Sequence, residues 1–81
     1  METFSVTQFF VSGEHETVRR HVSAEEAMEA FKHYTQNVAV KMGFTLRVIV
    51  TDSGDCINAE WKKDEGYTYP PELVALMNKG K

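Results

Sequence analysis

Residues Ser23–Gly43 read SAEEAMEAFKHYTQNVAVKMG, and the fold follows from how this stretch is read. Ser23 followed by Glu26 forms a capping box: the serine side chain accepts the Glu26 backbone N–H, and the Glu26 carboxylate reaches back to the serine N–H. Glu25 and Glu26 also complement the positive end of the helix dipole. Ala27, Phe31, Tyr34, Val38 and Met42 then recur at spacings of four, three, four and four, which puts them on one stripe of an α-helix, widened by Ala24 and Met28. Gly43 follows the last periodic residue and supplies the left-handed conformation that closes a helix. The spacing predicts a helix over Ala24–Met42 with a single core-facing side, and that side needs an apolar layer to lie on.

The flanking segments supply the layer. Thr3–Ser12 is rich in aromatic and β-branched residues, with Phe4, Val6, Gln8 and Phe10 on one face. A turn at Ser12–His15 leads into Glu16–Val22, where Val18 and Val22 share a face, so a hairpin is expected whose more polar second strand suits a sheet edge. After the helix, Leu46, Val48 and Val50 alternate with Arg47, Ile49 and Thr51. A turn at Asp52–Asp55 then leads to Ile57, Ala59 and Trp61 alternating with Cys56, Asn58, Glu60 and Lys62. Tyr67–Tyr69 is a possible extension along the sheet, ended by Pro70 and Pro71, which bar a continuing central strand. Pro71 and Glu72 suit a first helical turn, and Leu73, Val74, Leu76 and Met77 suit a short C-terminal helix that stops at Asn78 to Gly80. The expected fold is α+β: a two-layer β-β-α-β-β-α domain over residues 1–81, with a four-stranded antiparallel sheet, one long helix on one face and a short C-terminal helix.

Composition bounds the rest. With 42% hydrophobic and 26% charged residues the chain reads as an ordinary globular one, and 81 residues support one core. A single cysteine, Cys56, excludes an internal disulfide and points to the cytoplasm. Neither a secretory signal nor a membrane-spanning apolar run is present in the sequence. A formal net charge of −3 makes nonspecific attraction to nucleic acid an unfavourable reading.

No motif carries chemistry on its own. Cys56 has His15, His21 and His33 elsewhere in the chain as conceivable bases, but none of the local signatures of cysteine hydrolases surrounds it, and packing explains it. The carboxylates of Asp52-Ser53-Gly54-Asp55 are those a tight turn selects, and no EF-hand loop follows them. Glu14, His15, Glu16 and His21 lack zinc-site spacing. Arg19 and Arg20 point to opposite faces of a strand, so they form no flat basic patch, and Lys32 and His33 pair along the helix with Glu29. Trp61, Tyr67 and Tyr69 with Phe9 lack the basic interleaving of a stacking platform for single strands. No cofactor, metal or catalytic residue is expected.

What remains is a surplus of apolar surface. If Phe4, Val6, Phe10, Leu46, Val48, Val50, Ile57, Ala59 and Trp61 face the helix, the opposite face carries Thr7, Phe9, Val11, Arg47, Ile49, Cys56, Asn58 and Glu60. That set is too apolar for a fully solvated surface and too polar for a core. The expected function is a small non-catalytic protein-binding or self-associating module that uses this face, with Phe9, Arg47, Ile49, Cys56, Asn58 and Glu60 as contact residues toward a protein partner or a homodimer mate. The alternative is a small-molecule or anion binder, or a minor enzyme, with its site on the same face. A third reading, nucleic-acid binding through Arg19, Arg20, Arg47, Lys62 and Lys63, runs against the net charge of −3.

Overall fold

The computed structural model describes residues 2–78. In chain order the elements are β1 (Phe4–Phe10), β2 (His15–Val22), α1 (Ala24–Tyr34), α2 (Val38–Lys41), β3 (Thr45–Asp52), β4 (Ile57–Lys62), β5 (Gly66–Tyr69) and α3 (Pro71–Asn78). The α+β class is as expected, but the sheet has five strands rather than four, in the order β2-β1-β3-β4-β5, and every pairing is antiparallel. The additional strand is the Tyr67–Tyr69 segment with Gly66, which pairs Trp61 with Tyr67 and Glu60 with Tyr69. Gly66 at φ +79 and Asp64 at φ +69 allow the chain to reverse tightly enough for it. Val74 in α3 donates its N–H to the Pro70 carbonyl at 3.0 Å, and α3 packs on β5. The packing expected of Leu73, Leu76 and Met77, and the stop reaching Gly80, lie outside the described residues.

The helix starts as the capping box predicts, with the Glu26 N–H donating to Ser23 Oγ at 3.2 Å. It does not run on to Met42. The backbone leaves the α-helical path at Thr35, where the Gln36 N–H tightens onto the His33 carbonyl at 3.1 Å. Asn37 is extended at φ −79, ψ −179, and its side chain caps a new single turn by accepting the Val40 N–H at 3.1 Å. The Thr35 hydroxyl donates to the Lys32 carbonyl at 3.1 Å and sits 2.7 Å from the Tyr67 hydroxyl. A hydroxyl has one proton to give, so Tyr67 is the donor in the second contact. The bend divides the predicted stripe. Ala27 and Phe31 are buried with Ala30, and Tyr34 packs at the margin of the core, whereas Val38 and Met42 are 68% and 63% exposed. Gly43, at φ +80, ends α2.

The core lies between α1 and the inner face of the sheet, where Val6, Val48, Val50 and Ala59 meet Ala27, Ala30 and Phe31, with Phe4, Val18, Val22, Tyr34, Trp61 and Tyr67 around them. Gln8 belongs to this face too. It is buried, and its amide donates to the Glu16 carboxylate at 3.0 Å.

Two of the residues expected on the inner face sit outside it because the ladders slip. Phe9 pairs with Arg47 but Phe10 with Thr45, so Leu46 is an extra residue in β3. Thr45 then takes the buried position, and Leu46 turns to the outer face beside Phe9 and Arg47. Val50 likewise pairs with Ala59 but Thr51 with Ile57, so Asn58 is extra in β4 and Ile57 falls in the outer row with Thr51. Leu46 is 49% exposed and Ile57 38%.

Candidate functional site

The register places the outer-face residues in rows across the strands. One row runs Thr17, Thr7, Ile49, Glu60 and Tyr69, and a second runs His15, Phe9, Arg47, Lys62 and Gly66. The helices that cover strands do so from the core side or at the sheet margin, and the Cα framework is only 17 Å across its shortest dimension. Each layer occupies about 10 Å, so the outer face carries no second layer among the described residues.

Four of the six residues singled out from sequence come together at the centre of this face. Arg47 donates from Nε to the Glu60 carboxylate at 2.6 Å, its second ion-pair contact falls on the same oxygen, and its guanidinium lies 5.6 Å from the centre of the Phe9 ring. Ile49, between Thr7 and Glu60 in the register, is sunk to 9% exposure among these longer side chains. Burial pushes the Glu60 carboxyl up, but the Thr68 hydroxyl donating at 2.6 Å, the hydrogen bond and charge of Arg47 and the charge of Lys62 outweigh that and hold it below its ordinary value. Thr68 joins because it is an extra residue in β5 opposite the Glu60–Trp61 step. The three β-formers between Gly66 and Pro70 were the available sign of it.

Cys56 and Asn58 are not part of this group. They build the β3–β4 turn around Asp52, whose Oδ1 accepts from the N–H groups of Gly54 at 2.9 Å and Cys56 at 3.0 Å and whose Oδ2 accepts from the Asn58 amide at 3.0 Å. The Asn58 hydrogen bond, with those of the Cys56 and Gly54 backbone, holds the Asp52 carboxyl below its ordinary value despite a small opposing effect of desolvation. Cys56 is exposed, and its Sγ lies 3.9 Å from the Gly54 carbonyl oxygen. The Cys56 backbone and the Asn58 side chain thus serve the geometry of this turn.

Two hollows stand out on the outer face among the described residues. One, of about 260 Å³, is lined by the hydroxyl-bearing residues Thr3, Ser5, Thr7, Thr17, Thr51 and Ser53 with Arg20, His21, Asp52 and Asp55. The ladder slips that bring Arg20 and His21 there put His21 at φ +54, where its N–H faces Ser5 Oγ at 3.4 Å. Arg19 lies on the other side of the sheet, 6.0 Å from the centre of the Tyr34 ring. The other hollow, of about 400 Å³, is lined by Phe9, Leu46, Arg47, Lys62, Lys63 and Glu65. Leu46 was expected in the core, and only the bulge, invisible in an alternating pattern, brings it here.

Among the described residues no three or more His, Cys, Asp or Glu side chains group so as to hold a metal ion, and no helix is long and apolar enough to cross a membrane. No family model matches the chain, and no curated protein and no solved structure matches it.

Proposed function

We propose that the chain is a small non-catalytic module that binds a protein, either a partner or a second copy, through the outer face of its sheet. The observation that carries this reading is that Phe9, Leu46, Ile49 and Ile57 lie on a sheet face over which no described element packs. The sheet edges favour a face rather than an edge as the contact. β2 is out of step with β1 at two places, and β5 has only four residues before Pro70 and Pro71. A cytoplasmic setting belongs to the same reading, supported by the lone free cysteine.

The hydroxyl-lined hollow favours a second reading, a small-molecule or anion binder that uses Arg20 and His21. Asp52 and Asp55 line the same hollow, and the hydrogen bonds that keep Asp52 ionised set a negative charge against any anion. The reading therefore stands behind the first.

A photo-crosslinking residue placed at Ile57, on the outer face, and separately at Glu25, on the exposed side of α1, tests the proposal in the cells that make the protein. Discrete adducts from Ile57 alone are the expected result. Equal labelling from both positions, or none from Ile57, sinks the proposal.

A further inference from the structure

The Phe9–Leu46 hollow differs from the rest of the outer face in pairing an apolar floor with a cationic rim. We infer that it receives an acidic peptide segment of another protein, with one large apolar side chain seated on Phe9 and Leu46 and flanking carboxylates on Lys62 and Lys63. The inference rests on the outer-face reading above and specifies the partner.

Size and charge both lead there. A volume of about 400 Å³ falls within the range of pockets that take a ligand group, and Leu46, 49% exposed, already stands in it. Arg47, Lys62 and Lys63 line it against a single carboxylate, Glu65, in a chain whose net charge is −3. Arg47 is neutralised by Glu60, while neither lysine is in an ion pair among the described residues. The Lys63 N–H donates to the Leu46 carbonyl at 2.8 Å, which fixes this lysine backbone at the hollow's edge. A second copy fits less well. Two-fold docking centred on the hollow would set the lysine rim against itself, and head-to-tail docking forms no closed dimer. An acidic segment meets both lysines with opposite charge and covers the apolar floor.

The test is selection of a random peptide library displayed on phage against the intact chain and against a K62E/K63E variant, followed by fluorescence anisotropy on synthetic copies of the selected peptides. Lys62 and Lys63 are half-buried and the Lys62 charge acts on Glu60, so melting is measured beside binding. A K62Q/K63Q variant, which sets no new carboxylate near Glu60, should weaken the same peptides if K62E/K63E melts lower than the parent. The expected result is enrichment of peptides with a large apolar residue flanked by Asp or Glu. Their affinity should fall about tenfold or more in the variant, and also on raising salt. A Leu46→Glu variant, which fills the floor with like charge for the peptide, should abolish binding. Peptides without acidic bias, peptides that bind the variant equally well, or no enrichment would each overturn the inference. Crosslinking from Ile57 with no acidic peptides selected removes this inference alone. Absence of both, crosslinking from Ile57 and acidic peptides, removes the inference together with the outer-face reading on which it rests.

Discussion

On the inner face of the sheet Val6, Val48, Val50 and Ala59 are each 2% exposed or less, while on the outer face of the same strands Arg47 and Glu60 form an ion pair beside the row that carries Thr7 and Ile49. The inner face owes its order to removal of apolar surface from water. The outer one owes its order to Arg47 and Thr68 converging on the Glu60 carboxylate, which ties β3, β4 and β5 together while leaving Phe9 and Leu46 in reach of solvent. One sheet thus separates what holds the molecule together from what it presents.

The sharpest way to break this contrast is on the inner side. Phe31→Ala should cost about 3–5 kcal/mol in denaturant unfolding, because a side chain 2% exposed leaves a cavity that the helix and sheet cannot fill. On the outer side Glu60→Ala should cost less, about 1–3 kcal/mol, since it strands the Arg47 guanidinium and the Thr68 hydroxyl but leaves Arg47, 32% exposed, open to water that restores part of the loss. Thr35→Val should cost about 1 kcal/mol, and a double-mutant cycle with Tyr67→Phe should show coupling between the two, because each removes the same hydroxyl contact.

The two faces should also part under acid. Glu60 and Asp52 have pKa values lowered from 4.5 and 3.8, so the stability they contribute is present above those values and is lost as pH falls through the lower folded-state values. Melting curves from about pH 6 down to about pH 3 should show a decline that is shallower in the Glu60→Ala variant. The smallest effect is expected at the turn. Asn58→Ala should move the Asp52 carboxyl titration, followed by NMR, up toward 3.8 with little change in melting at neutral pH.

How much of this was legible in the sequence depends on whether a residue's place is set locally. Ser23 and Glu26 mark the helix start because a cap is made within a few residues, and the Asp52–Asp55 turn declares itself for the same reason. Val48, Val50 and Ala59 were placed correctly because the alternation holds through the centre of the sheet. Leu46 and Ile57 were placed on the wrong face because the extra residue in each ladder is defined only against the partner strand, which the alternating pattern of one strand does not contain. The break before Asn37 escaped periodicity because Val38 and Met42 keep the helical spacing although the backbone has already turned away. Of the six residues put forward for contact, Phe9, Arg47, Ile49 and Glu60 share the outer face. Cys56 and Asn58 were drawn into the set by strand parity alone.

The hydroxyl pair of Thr35 and Tyr67 joins the first helix to a strand 32 residues later. Its consequence is one of timing: the beginning of α1 is written in adjacent residues, but the side-chain contact that seats its end is complete only when the last strand has docked. The end of α1 is thus held twice, by the local turn of Gln36 onto the His33 carbonyl and by a hydroxyl contact that exists only with β5 in the sheet.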